Sequence, residues 1–153
     1  MNEYKHTLTE AFLYQRNGAL FQWAQDYLRT DGNNEKLADY LDEHNPTTIE
    51  LIEFPLSKLV RIIGPEDGLK FREPQDVWES RVISLKQSIK KGVKFPPLIV
   101  TDFWGDLQLS DGSHRHEALI RSGFKKYWTI FFFSKPEKST SIRQPVEQYK
   151  RNY

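Results

Sequence analysis

Cysteine is absent from the 153-residue chain, which excludes a disulfide framework, a thiol nucleophile and a cysteine-built zinc site. Long apolar runs are missing as well. The stretch Ile130 to Phe133 is far short of the roughly 20 residues that a membrane-spanning helix needs. The N-terminal residues mix acids and polar groups with apolar ones, unlike a signal peptide, so a cytoplasmic protein with no membrane partner is expected. Net charge is scarce too, at +1. What is present is a globular composition: 38% hydrophobic and 28% charged residues exclude both a wholly disordered chain and a membrane protein. The length suffices to bury a core without metal or disulfide support.

The small net charge hides an asymmetry. Residues 1–50 carry four Lys/Arg against nine Asp/Glu, a balance of −5, and residues 51–153 carry eighteen against twelve, a balance of +6. The basic part suits an anionic ligand, although +6 over about a hundred residues is well below the footprint of a dedicated nucleic-acid binder.

Three segments emerge from the patterning. Residues 1–45 read as helices that pack on the next segment or offer a dimer surface. Thr7 and Glu10 have capping-box spacing, Leu20, Trp23, Ala24, Tyr27 and Leu28 form an apolar stripe, and Asn33 or Asn34 caps a third helix bearing Leu37, Tyr40 and Leu41. Residues 46–134 then alternate. A strand is predicted around Thr48 to Phe54, followed by a short turn or helix at Pro55 to Leu59 and a long Gly/Pro-rich loop from Arg61 to Gln75 of the kind used for binding. A helix with the face Trp78, Val82, Leu85 and Ile89 is predicted next, starting at an Asp76 cap and stopping at Gly92. Short strands at Leu98 to Thr101 and Leu107 to Leu109 flank a turn at Trp104-Gly105-Asp106, and a β-forming run spans Tyr127 to Phe133. Residues 135–153 form a polar tail with Pro136 and Pro145 that could hold a short helix.

The chemistry concentrates in D-G-S-H-R-H-E-A-L at 111 to 119, where a strand, a glycine turn and a helix start meet. A helix N-terminus presents unpaired N–H groups and partial positive charge, an anion site in outline. Gly112 permits close approach to the backbone, Ser113 adds a hydroxyl, Arg115 a fork of donors suited to phosphate, and His114 a ring donor. Asp, Gly and Ser are equally ordinary cap and turn residues. Cations at a helix N-terminus oppose the macrodipole by roughly 0.3–1 kcal/mol each unless an anion intervenes, which leaves the two readings about even. A metal site is not expected: His114 and His116 are two apart and do not share a helix face. No Walker A loop, dinucleotide fingerprint or nucleophile elbow is present.

P-L-S-K-L-V-R at 55 to 61, S-I-K-K-G at 88 to 92, P-P-L-I-V at 96 to 100 and the 111 to 119 motif, in this order, resemble the ParB/sulfiredoxin superfamily over roughly residues 49–133. The resemblance implies an α+β fold, a small mixed sheet with flanking helices, here preceded by the N-terminal helical segment. It implies nucleotide phosphates cradled by Gly112, Ser113, His114 and Arg115, with Arg61 as a further phosphate-binding residue. Ser113 stands where sulfiredoxins need a cysteine, which excludes their redox repair. ParB partition proteins carry G-E-R-R in the turn and add a helix-turn-helix and a dimerisation domain, so a partition function is not expected. The local match is nearest to free-serine kinases with D-G-H-H-R. That similarity implies catalytic roles for Asp111 and His114 and for a loop glutamate, Glu66 or Glu73, with a nucleotide triphosphate or diphosphate and Mg2+ as cofactor and a hydroxyl as acceptor. The alternative is a DNA-associated member of plasmid, phage or defence type, in which Lys86, Lys90, Lys91, Lys94, Lys125 and Lys126 contact phosphates; a solvated helix face accounts for the same lysines.

Overall fold

The computed structural model describes residues 5–46, 48–101, 107–133 and 145–151. The predicted turn at Trp104-Gly105-Asp106 and Pro136 of the tail lie outside them. The fold is α+β. Three helices, α1 (Leu8–Arg16), α2 (Leu20–Arg29) and α3 (Glu35–His44), precede a sheet of β1 (Thr48–Pro55), β4 (Leu98–Thr101), β5 (Leu109–Asp111) and β6 (Lys126–Phe133). Between β1 and β4 come a 3-10 turn (Leu56–Lys58), the two-residue strands β2 (Ile63–Gly64) and β3 (Phe71–Arg72), and α4 (Gln75–Lys90); α5 (Ser113–Arg121) joins β5 to β6. Residues 145–151 form a last helical segment, α6.

The sheet order is β1-β6-β4-β5. β6 is antiparallel to β1 and parallel to β4, and β5 returns antiparallel on β4. Because β6 lies inside the sheet, its run Ile130 to Phe133 is buried throughout, the near-continuous apolar pattern of a strand covered on both faces. Successive side chains point to opposite faces. Trp128 and Phe132 meet Phe12 of α1 and Phe21 of α2 edge-on, while Phe131 packs on Phe54, which also meets Tyr149 of α6. The helices of residues 5–46, the sheet and α6 thus share one core.

Local chemistry accounts for the boundaries. Thr7 Oγ1 accepts from the Glu10 N–H and Asn34 Oδ1 from the Leu37 N–H, so both residues cap their helices. Two boundaries differ from expectation. Asp76 lies within the first turn of α4 and makes no cap bond, because Pro74, extended at φ −55 and ψ 143, ends the preceding chain and stands at the cap two residues earlier. β5 begins at Leu109 rather than Leu107, which takes a left-handed φ of 60 and so breaks the alternation.

Candidate functional site

Residues from three distant stretches, 27–40, 62–81 and 110–115, line a cleft of about 750 Å³, in the size range of small-molecule sites. Its floor is the D-G-S-H turn. Gly112 takes φ 107, and α5 begins at Ser113 with no side-chain cap on its first N–H groups. A Cβ at Gly112 would stand 2.7 Å from Leu98 Cδ2 and 3.0 Å from Arg115 Nη2, so both the dihedral and the space demand glycine.

Arg115 was expected to offer its fork to phosphate; the structure buries it, 1% exposed. Nη1 donates to the carbonyls of Pro96 and Pro97, and Nη2 to Asp111 Oδ2 at 2.7 Å. A guanidinium taken out of water has to be fully paired, and the carbonyl pair before β4 together with Asp111 meets that demand. Asp111 is equally committed. Besides Arg115, its carboxylate accepts from Tyr27 OH at 3.2 Å and from Asn34 Nδ2 at 3.1 Å. Asp111 and Arg115 therefore join the sheet to α2 and α3.

Ser113 is buried, and its Oγ accepts from the Ile62 N–H at 3.4 Å. His114 lines the cleft. Its Nε2–H donates to Glu73 Oε1 at 2.8 Å while its ring lies 4.7 Å from Trp78. Burial lowers its pKa, and the Glu73 carboxylate opposes that shift without overcoming it, so the imidazole is neutral near pH 7 with its proton on Nε2. Glu73, the second of the two loop glutamates, also lines the cleft.

Arg61 and Glu66 pair with each other instead. Arg61 Nη2 donates to Glu66 Oε1 at 2.7 Å and Nη1 to Oε2 at 3.3 Å, with the guanidinium stacked 4.7 Å over Trp78. The cleft lining includes neither residue. Arg61's hydrogen bonds hold the Glu66 carboxyl below its usual pKa, which makes it a weaker base. His116 faces the core: Nε2–H donates to the Leu56 carbonyl at 2.8 Å, and burial lowers its pKa. The lysines of the DNA alternative, Lys86, Lys90, Lys91, Lys94, Lys125 and Lys126, stand apart from the cleft lining, and Lys126 pairs with Glu53 at 3.5 Å.

Sequence reasoning passed over Lys36 of α3 and Arg81 of α4. Both line the cleft, both are exposed, and neither has a hydrogen bond or ion pair among the described residues. Every other formally charged lining group is engaged: Asp31 by His6, Glu73 by His114, and Asp111 with Arg115. What remains without a hydrogen-bonded partner is two cations beside a helix N-terminus that has no side-chain cap. Nothing in local patterning marks these two residues, since each sits on a solvent face of its own helix.

No family model matches the chain, and no curated protein matches it. Solved structures similar to it include two of known name. One is a Pnob8-like ParB-N domain, with 23% identity, a TM-score of 0.39, and coverage of 60% of this chain and 32% of the other. The other is sulfiredoxin from Arabidopsis thaliana, with 21% identity, a TM-score of 0.40, and coverage of 63% and 97%. This chain thus spans about a third of the ParB-N chain it matches. Both bear the names that the sequence motifs pointed to.

Among the described residues no helix is long and apolar enough to cross a membrane. Nor does any group of three or more His, Asp and Glu among them have the arrangement to hold a metal.

Proposed function

We propose that the cleft binds a nucleotide, with its phosphates at the start of α5 between Lys36 and Arg81, and that a phosphoryl group is transferred or hydrolysed there. The observation that carries this reading is a pair of cations without hydrogen-bonded partners. Lys36, Arg81 and a helix N-terminus with no side-chain cap line one concavity, whose acids each have a partner within the protein. Each favours an anion, and together they favour a multiply charged one. The resemblance of D-G-S-H-R to the kinase turn adds support of a different kind.

The residue roles follow from placement. The backbone N–H groups of Ser113 and His114 would donate to phosphate oxygens at short range, which Gly112 permits. Lys36 and Arg81 would neutralise the phosphate charge as it moves to the leaving oxygen. Glu73, held by His114, is the carboxylate placed to take the proton from an acceptor hydroxyl or water. The acceptor oxygen then forms its bond to phosphorus as the bridging bond breaks, and the departing oxygen keeps the electron pair. Asp111 and Arg115 act through position, since their polar atoms are spent on each other and on the surrounding frame. Magnesium belongs to this reading as a counter-ion brought by the nucleotide.

Titration with ATP, ADP and CTP, each with and without magnesium, tests the reading. Saturable binding of at least one is expected, weakened roughly tenfold by Arg81→Ala and by Lys36→Ala, the worth of one charged hydrogen bond. Absence of saturable binding for all three would sink it.

A further inference from the structure

Among the described residues three acids line the cleft, and two of them are held by elements that also build it: Glu73 by His114, and Asp111 by Arg115, Tyr27 and Asn34. Asp31 is the exception. Apart from the hydroxyl of its neighbour Thr30, its partners come from the short stretch before α1, which is no part of the lining. Oδ2 accepts from the Lys5 N–H at 2.7 Å and from the His6 N–H at 3.0 Å, and the His6 ring brings Nδ1 to 2.5 Å from Oδ1. The stretch has a seat of its own. The His6 ring meets Trp23 and Tyr27 edge-on at 5.8 Å each, and those two rings stack on one another 5.3 Å apart. Burial pushes the Asp31 pKa up, but the hydrogen bonds and charge that this stretch brings lower it by more, so the carboxyl stays below its usual range. A carboxylate is thus kept charged inside a cleft whose free side chains favour an anion.

We propose that His6 is a positioning residue for anion binding, and that the stretch before α1 masks Asp31 when it is docked and leaves a bare carboxylate in the cleft when it is not. The inference rests on the reading of the cleft as a phosphate site and adds what controls its affinity. A carboxylate that accepts two backbone N–H bonds and stands against an imidazole has its charge met at hydrogen-bond range. Stripped of these partners, it repels any anion in the same concavity, and a polyphosphate feels that repulsion once for each charge it carries. No lysine or arginine among the described residues pairs with Asp31 to take their place. Simple bracing by His6 would behave differently. It would hold the loop from Asp31 to Asn34 whatever the charge at position 31, whereas masking matters only while that charge is present. The residues ahead of α1 on this view belong to the site without touching its ligand.

The test compares four forms of the full chain: the unaltered protein, His6→Ala, Asp31→Asn and the double variant, each titrated at pH 7 with tripolyphosphate and with ATP after circular dichroism shows it folded. Asparagine removes the charge and keeps an acceptor for the backbone N–H groups. His6→Ala is expected to weaken binding about three- to tenfold, Asp31→Asn to bind at least as tightly as the unaltered protein, and the double variant to bind as Asp31→Asn does. If His6→Ala has no effect, or weakens binding equally with and without the charge at position 31, or if Asp31→Asn itself weakens binding, the inference falls while phosphate binding stands. Should His6→Ala not fold, Asp31→Asn decides alone, since masking predicts no loss and bracing predicts one. If neither ligand binds any of the four, both readings fall.

Discussion

Replacing Arg115 by Met should cost on the order of 3–5 kcal/mol, the penalty for leaving one partner of a buried pair alone. The change strands Asp111 and the Pro96 and Pro97 carbonyls together. Arg115→Lys should recover little, since an ammonium is a point donor and cannot span three acceptors as a fork does. Urea denaturation measures both, and a loss below about 1 kcal/mol for Met would show the fork to be dispensable. The two histidines make a separate prediction. Burial lowers the pKa of His114 and of His116 from their ordinary 6.5. On unfolding both return to that value, so below it the unfolded chain binds protons that the folded one does not. Stability is then complete above about pH 6.5 and is lost as pH falls from there towards the depressed folded values. The Glu66 carboxylate, lowered by Arg61, loses its contribution in a more acidic window, near and below 4.5. Unfolding free energy should therefore drop between pH 7 and pH 5, and His116→Gln should make that slope shallower; an unchanged slope would assign the titration to other groups.

Among the elements, α3 is hydrogen-bonded to the turn before α5 through its cap. Asn34 accepts from the Leu37 N–H and donates to Asp111 and to the Ser110 carbonyl. Asn34→Ala removes these bonds and should cost about 1–2 kcal/mol. Hydrogen exchange should rise first over residues 35–44; a uniform rise across the chain would mean that α3 does not come away separately. The cap at Thr7, a cap at Asn33 or Asn34 and the run of β6 were legible because each is set by neighbours within a turn or two. The pairing of β2 with β3 was not, since two residues carry no period. The shift of β5 depended on the backbone of Leu107, which no periodicity encodes. The buried face of α6 was equally hidden. Val146 and Tyr149 become core residues by meeting a sheet formed a hundred residues earlier, with Tyr149 OH donating to the Glu53 carbonyl.

The whole molecule decides which charges of the cleft are open to a ligand. Its acids outnumber its free cations, but the fold gives each acid a partner within the protein and leaves Lys36 and Arg81 without one. Arg81→Glu should then abolish most nucleotide binding at low salt, and raising ionic strength should weaken the unaltered protein far more than the variant; equal salt responses would remove Arg81 from the site. The sequence by itself determined the α+β alternation, the helix caps, the glycine turn before α5 and the concentration of polar groups there, because these depend on period, dihedral preference and short-range hydrogen bonding. It also named Glu66 as the loop glutamate, with Glu73 as the alternative. Only the tertiary structure decided that Glu73 meets His114 while Glu66 meets Arg61. The same holds for the turning inward of Arg115 and for the closing of the cleft by α3. Each outcome depends on which distant groups are close enough to satisfy a charge leaving water, and that proximity exists only once the helices have packed on the sheet.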